Sequence, residues 1–596
     1  MEDAYAAAQQ RVHQLQHHPE SWGYAGCTVE CIETHISWLL LVGGHVYKFK
    51  KPLALDFLDF STAALRLAAC QEELRINRRT APHMYLDVVG VEGDGSDSRP
   101  WRVKPWAAGD AAGVEPAVLM RRFDQQALLS RRLEAGCVAD EDMDALAEQV
   151  ARLHTQAAVA DMAQLGGALA APSPEHAATA PVRECLTALA LVLPEVAPGQ
   201  VGDLQRLEQW CAVQQIALKE VWAQRWRGGH VRECHGDLHL ANIAWIDGQP
   251  QLFDALEFNP DLRWIDCMAD LAFLAMDLQA RGRLDLAWRC VNRWLEHTGD
   301  YEGLQVLGYY RVYRALVRAR VAGLQWTQLQ AQRTDVASQA AHAALTDEAQ
   351  RTLQRYLALA VELTQPNAVA LWLAHGLSGS GKSTHSLPLV AQRGAVRLRA
   401  DVERKRLFGL RAGQRSDGVE GGIYTPQASR QTHERLAQLA TLALKAGYPV
   451  LVDATFLNPA TRTQFIALAR ALQVPCRILA FEAPLAVLRE LFQVAFWLAR
   501  HYGRSAAARP EPALQFLAEL LPPPAASASA TSPTANTLLA ALPADLRAVM
   551  KPATKYSDNT GGGSDTASYV TSTTDLLPLL SEFEYHGARS YANSAE

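Results

Sequence analysis

The chain has 596 residues, 49% hydrophobic and 20% charged, enough apolar material for roughly three or four packed domains. A net charge of −6 and a pI near 6.3 argue against a globally basic protein drawn to nucleic acid or anionic membrane. Ten scattered cysteines with no CxxC pair argue against a disulfide framework or a zinc ribbon, and point to reduced, mostly buried thiols in a cytoplasmic protein.

The first residues, "MEDAYAAAQQRVHQLQ", lack a basic n-region followed by an apolar h-region, so no signal peptide is expected. Residues 27–50 are β-rich runs broken at Thr34-His35 and at Gly43-Gly44, which predicts a three-stranded antiparallel unit. A helix is predicted over "STAALRLAACQEELRINRRTA", then strands over "YLDVVGVEG" and "AVLMRRF". Residues 1–123 therefore read as a small α+β lobe. Residues 124–362 are mostly helical by periodicity, interrupted by a β island at 243–254 that turns at Asp247-Gly248. "LTQPN" falls in a linker, 363–368, where Pro366 blocks helix continuation. From 369 to 520 strands alternate with helices, the pattern of a parallel α/β sheet. The apolar run Leu491 to Ala499 is far too short to span a bilayer, and no membrane partner is expected. Residues 521–596 read as a largely disordered low-complexity tail, with no closing strand evident for the sheet.

Two motifs carry chemistry. The first is "HGDLHLAN", His235 to Asn242. Phosphoryl transfer to a hydroxyl needs a carboxylate that orients the hydroxyl and takes its proton, together with oxygen ligands for magnesium on the phosphates. Asp237 supplies the carboxylate and Asn242 a metal ligand, and Asp254, just past the Asp-Gly hairpin, supplies a second. Taken alone the motif also fits a polar turn or a zinc pair through His235 and His239.

With Asp254 added, the pattern resembles the catalytic core of the aminoglycoside phosphotransferase-like kinases, relatives of the protein kinases and choline kinases. The resemblance covers roughly residues 25–325. It implies a bilobal protein-kinase-like fold, with Asp266 and Asp270 in "LRWIDCMADLAFL" as structural aspartates. It also implies a strand lysine on the ATP phosphates, paired with a helix glutamate. "VYKFKKP" offers Lys48, Lys50 and Lys51, of which Lys48 is favoured as the deepest in the strand; Glu73 is its partner and Glu72 the alternate. The nucleotide-covering loop falls near Thr34 to Ser37 and is not glycine-rich. His235 reads as a support for the loop, and His239 receives no role. Arg311, Arg314 and Arg318 share a helical face, read as solvated in preference to an anionic substrate site.

The second motif, "GLSGSGKST", follows an apolar strand and opens a helix. Gly376, Gly379 and Gly381 let backbone N–H groups face phosphate oxygens. Lys382 reaches the β and γ phosphates, Ser383 ligates magnesium, and Thr384 continues the motif into the helix. Asp401 and Arg404, after the second strand, are placed to activate a hydroxyl and to hold an anionic substrate; Asp453, at the end of the third, is placed in the magnesium shell, with Thr455 nearby. The arrangement resembles the P-loop kinases of the polynucleotide 5′-kinase and zeta-toxin-like AAA group over about 369–490. Such kinases close an arginine lid over the phosphates, for which Arg489, Arg500 and Arg504 are the candidates here.

The leading expectation is a bifunctional phosphotransferase using ATP and Mg2+, acting on a small-molecule hydroxyl acceptor. The alternatives are a nucleotide-sensing regulator and a nucleic-acid 5′-end kinase in the P-loop half, the latter not favoured by the acidic charge.

Overall fold

The computed structural model describes residues 2–22, 28–55, 58–96, 98–107, 114–161, 173–331, 339–377, 380–414, 422–481 and 569–570. The chain divides into two units, Met1–Pro366 and Asn367–Glu596.

The first unit opens with α1 (Glu2–His17). The run to Lys50 folds as β1 (Val29–Glu33), β2 (Ser37–Val42) and β3 (His45–Lys50), an antiparallel meander in which Leu39 lies opposite Lys48. A small hairpin, β4 (Ala54–Leu55) and β5 (Leu58–Asp59), precedes α2 (Ala63–Asn77), whose N-cap Thr62 accepts the Leu65 amide at 3.2 Å. The strands β6 (Tyr85–Glu92), β7 (Arg102–Pro105) and β8 (Glu115–Arg121) complete a sheet of order β1-β2-β3-β8-β6-β7. Each face has its own cover. Val12 and Leu15 of α1, with Trp22, bury against Trp38, Leu40 and Tyr47, while Cys70 of α2 packs with Tyr85, Val88 and Val118. Neither α1 nor β7 was predicted: half of α1 is alanine and glutamine, and β7 is four partly or fully exposed residues.

The helical lobe comprises α3 (Leu129–Glu134), α4 (Asp140–Gln156), α5 (Pro174–Val196) and α6 (Val201–Arg227). It continues with β9 (Val231–Glu233), the hairpin β10 (Ile243–Ile246) and β11 (Gln249–Leu252), β12 (Trp264–Asp266), α7 (Cys267–Ala280), α8 (Leu284–Thr298), α9 (Leu304–Ala331) and α10 (Gln339–Leu363). Asp247 and Gly248 both have positive φ, 52° and 72°, the geometry of the two-residue turn that an Asp-Gly pair favours. β12 pairs antiparallel with β9. α7 is apolar on all sides and is buried from Cys267 to Leu278, making it the axis of the lobe. Among the described residues one helix, α5, is long and apolar enough to cross a membrane; it buries Val182, Cys185, Leu189 and Leu193 within the lobe.

The arginine face of α9 is not solvated. Arg311 and Arg314 are buried, the Arg314 guanidinium lying 4.9 Å from both the Phe273 and Tyr313 ring centres while its Nε donates to Ala269 O at 3.2 Å. Arg311 lies over Trp288, and Arg318 over Tyr356. Spacing along a helix fixes which residues share a face but not what covers it, and here aromatic rings cover it.

In the second unit β13 (Leu371–His375), α11 (Lys382–Arg393), β14 (Val396–Arg399), α12 (Ala400–Leu407), α13 (Pro426–Lys445), β15 (Val450–Asp453), α14 (Pro459–Ala471) and β16 (Cys476–Ala480) alternate as predicted. The sheet is parallel, in the order β14-β15-β13-β16. A fifth strand, β17 (Tyr569–Val570), pairs parallel with Ile478 and Leu479 of β16. No strand was predicted there, because two residues inside a Ser/Thr/Gly-rich stretch carry no periodicity.

One buried ion cluster ties three parts of the helical lobe together. Arg225 of α6 makes two bonds to Asp266 (2.6 and 2.7 Å) and two to Asp300 (2.8 Å each). Arg225→Met would leave two buried carboxylates without their cation. It is expected to destabilise the first unit by about 3–5 kcal/mol, read as a lower urea midpoint.

Candidate functional sites

The loop His235–Asn242 leaves β9 and is held from beneath by α7. Asp270 accepts the backbone amides of His235 and Gly236, each at 3.0 Å, and Asp277, seven residues on and on the same helical face, accepts the Leu240 amide at 3.0 Å. Tyr356 of α10 donates to the other Asp277 oxygen at 2.8 Å. Gly236 has φ +85°, and a Cβ there would come within 2.7 Å of Leu262 O, so the loop needs glycine at this point. Asp277 went unread in the sequence. Its signal was an aspartate in an otherwise apolar helix, one heptad after Asp270.

The histidines support this loop. His235 Nδ1 accepts the Asp237 amide at 3.3 Å, which leaves Nε2–H to donate to Phe253 O at 2.9 Å. His239 Nδ1 accepts the Ala241 amide at 3.2 Å, and its Nε2 faces Asp237 Oδ2 at 3.4 Å. Each ring is committed at both nitrogens, which removes the zinc-pair reading and gives His239 the contact that the sequence did not assign. A third ring, His154, is committed in the same way: Trp294 Nε1 donates to its Nδ1 and its Nε2 meets Asp270.

Asn242 Nδ2 donates to both the backbone O and Oδ2 of Asp237, each at 3.0 Å, so the two predicted residues are in direct contact. Burial pushes the Asp237 carboxyl up. The charge and hydrogen bond of His239, with Arg318 and His235, outweigh it and hold the group well below the ordinary value of 3.8.

Lys48, Glu73 and Asp254 are joined to one another. Lys48 Nζ donates to Glu73 Oε1 at 2.8 Å and to Asp254 Oδ1 at 2.6 Å. Burial pulls the ammonium pKa down, but Asp254, Glu73 and Glu257 raise it well above the usual lysine value, so Lys48 stays charged. Asp254 adopts φ +61°, rare for a residue with a Cβ, and its amide donates to Tyr85 Oη at 3.0 Å. Glu72 faces outward, paired with Arg75 and Arg263. The Thr34–Ser37 loop is the β1–β2 turn, closed by Ser37 N–H donating to Thr34 Oγ1 at 3.0 Å. Lys50, which the sequence offered but ranked behind Lys48, and Glu257, which it did not single out, join the group: Lys50 donates to Glu73 Oε2 at 2.6 Å and also to Glu257.

The donors around the first loop, an amide and carboxylates, are hard oxygens and fit magnesium better than a soft metal. The second unit offers the same chemistry at the carboxyl ends of its strands. Gly376 (φ +147°) leaves β13, and Gly381 (φ +81°) caps α11, where a Cβ would meet the His385 ring at 2.7 Å. Gly379 lies outside the described residues. Lys382 is folded onto the loop, donating to Gly376 O at 2.9 Å and Leu377 O at 2.6 Å; burial lowers its pKa against the pull of Asp453. Ser383 Oγ donates to Asp453 Oδ2 at 2.8 Å, and Thr384 is exposed on α11. Asp401 meets Lys405 Nζ at 3.1 Å and accepts from Tyr424 Oη at 3.3 Å, while Arg404 lies over the Tyr424 ring at 5.0 Å. Tyr424 was not anticipated. Thr455 is exposed, and its backbone O accepts the Gly376 amide at 3.1 Å. The lid candidates Arg489, Arg500 and Arg504 lie outside the described residues.

Residues 371–494 match the family model described as AAA domain, AAA_33. The uncharacterized protein Rv2004c of Mycobacterium tuberculosis (strain H37Rv) and the uncharacterized protein Mb2027c of Mycobacterium bovis are each 30% identical to this chain over 437 residues, covering 73% of this chain and 80% of theirs. Similar solved structures include a choline/ethanolamine kinase family protein from Mesorhizobium loti (12% identity, 60% of this chain and 99% of that one, TM-score 0.31). A Plasmodium vivax ethanolamine kinase is also similar (9% identity, 56% and 81%, TM-score 0.33). The P-loop motif and the parallel sheet thus lie within the stretch that matches the AAA domain model, in a unit separate from the α+β and helical lobes of the first.

Asp270→Asn would turn an NH2 group toward one of the two amides that the carboxylate now accepts. The first unit is expected to lose about 2–4 kcal/mol against urea, with the largest rise in hydrogen exchange at His235 and Gly236.

Proposed function

This chain belongs to the family of the mycobacterial protein Rv2004c, and we propose that it is an ATP-dependent phosphotransferase with two nucleotide sites, the first transferring the γ-phosphoryl group to a small-molecule hydroxyl. What supports the reading is the convergence of Asp237 and Asn242 on one loop with Lys48, Glu73 and Asp254 beside it. Lys48 holds the phosphates and Glu73 holds Lys48. Asn242 and Asp254 would hold magnesium, which when bound neutralises phosphate charge. Asp237 orients the acceptor hydroxyl and takes its proton as the new O–P bond forms and the bond to ADP breaks. A carboxylate held so far below the ordinary range is a weak base, so orientation carries more of its role than proton affinity does.

In the second unit the P-loop cradles ATP through Gly376, Gly379, Gly381, Lys382 and Thr384, Ser383 and Asp453 serve the metal shell, Asp401 activates a hydroxyl, and Arg404 holds the substrate. The acidic sequence speaks against a nucleic-acid end as that substrate.

The test is transfer from labelled ATP to a panel of alcohols, amino alcohols and sugars. Asp237→Asn should lower transfer to the first unit's acceptor by at least about 10³-fold while the unfolding midpoint stays near wild type; equal labelling by both proteins would remove Asp237 from the chemistry. Lys382→Ala should abolish ATP binding to the P-loop, read by equilibrium dialysis as the loss of one of two sites.

The pH profile offers a separate check. Because the Asp237 pKa is depressed in the folded state, the carboxylate stays ionised as pH falls, and it is lost only well below 3.8. Between pH 7 and 5 kcat/KM should therefore show no acid limb from this group. A limb near pH 6 that disappears in Asp237→Asn would contradict the depressed pKa and the weak-base role drawn from it.

A further inference from the structure

A kinase-like site needs one lysine on the phosphates, yet this strand points two at the same glutamate. Lys50 lies two residues past Lys48 on the same face of β3, and its side chain is wholly buried. Its ammonium is enclosed by Glu73 Oε2 at 2.6 Å, by Glu257 and by the Phe60 ring at 5.2 Å. Burying an ammonium this completely costs several kcal/mol of hydration, and the surrounding carboxylates offset that cost. The Glu73 carboxylate is divided: Oε1 serves Lys48 and Oε2 serves Lys50.

The division matters when nucleotide arrives. Phosphate oxygens compete with Glu73 and Asp254 for Lys48. A glutamate held by Lys48 alone would lose its partner just when its position counts. Here Lys50 keeps the second oxygen, and Glu257, three residues past Asp254, keeps Lys50. The same end of α2 is tied to the same loop by Ala255 N–H donating to Asn77 Oδ1 at 2.8 Å and by Thr80 Oγ1 donating to Leu252 O at 2.6 Å.

We propose that Lys50 and Glu257 are positioning residues that lock Glu73, and with it α2, in its working place whether or not nucleotide is bound. The inference rests on the reading of the first unit as an ATP site.

The experiment is hydrogen–deuterium exchange on the full chain, with and without MgATP, followed at the backbone amides of α2. Exchange there reports on the first unit alone, so the P-loop does not interfere. The variant is Lys50→Met/Glu257→Leu, which removes both charges and keeps apolar volume, the substitution that buried ion pairs tolerate best. Wild-type α2 should change less than about 2-fold on adding MgATP, whereas the double variant should exchange at least about 10-fold faster without nucleotide and faster still with it, as phosphate draws Lys48 away from Glu73. A purely structural loss would speed exchange equally in both conditions and would overturn the proposal. So would unchanged α2 protection in the nucleotide-free variant, or a tenfold gain of α2 protection in wild type on adding MgATP. If the double variant does not fold, Glu257→Gln decides: faster nucleotide-free exchange in α2 supports the lock, and wild-type exchange overturns it. If β3 and the 243–254 hairpin of wild type ignore MgATP, the ATP reading of the first unit fails, while the nucleotide-free comparison still judges the lock.

Discussion

The first site depends on two aspartates inside an apolar helix. Asp270 and Asp277 of α7 have nothing to do with phosphate; they accept backbone amides at the two ends of the His235–Asn242 loop. A buried carboxylate without partners would cost too much to keep, and an eight-residue polar loop without anchors would be too loose to aim Asp237. Each problem solves the other. The amides, together with His154 at one aspartate and Tyr356 at the other, satisfy the carboxylates, and the carboxylates fix the loop. Both aspartates remain ionised although burial opposes it, because the histidines and arginines around them outweigh the lost hydration.

This support explains what the sequence disclosed. That Asp237 and Asn242 would meet was legible because phosphoryl transfer calls for those residue types at that interval, and the hairpin before Asp254 carries its own turn residues; the pairing of Lys48 with Glu73 was legible only through the family resemblance. Strand alternation in the second unit was legible because one local period repeats. Residues that act across long separations were not. Lys50 to Glu257 spans 207 positions, and Asp277 to Tyr356 spans 79. Neither distance leaves a periodic trace. The arginine face of α9 shows the limit most clearly. Its spacing was read correctly, but whether water or an aromatic ring lay opposite was decided by Phe273, Trp288 and Tyr356, which come from other helices.

The histidines make a related point. Proximity in sequence suggested a metal pair, yet ring chemistry forbids it once hydrogen-bond partners are known. Each ring accepts an amide at Nδ1, which leaves the proton on Nε2, and each Nε2 already faces an oxygen. His239 thereby turns its Nε2–H toward Asp237. It lowers the carboxylate pKa, which on the proposed reading would favour alignment of the acceptor over strong proton abstraction.

On the proposed reading, the two units would meet phosphate with differently prepared lysines. Lys48 is matched by carboxylates, which raise its pKa and already satisfy its charge, so an arriving phosphate must displace Asp254 or share the ammonium with Glu73. Lys382 is matched mainly by two carbonyl oxygens, whose dipoles do not make up for burial, and its pKa falls. A cation in that condition gains more from a phosphate dianion, because the ligand supplies countercharge that the protein withholds. The P-loop would on that reading be suited to affinity, with the backbone doing the gripping. The first site would give up part of its lysine's attraction to keep Glu73, Lys48 and Asp254 in register, which would suit the proposed placing of a phosphoryl group above Asp237.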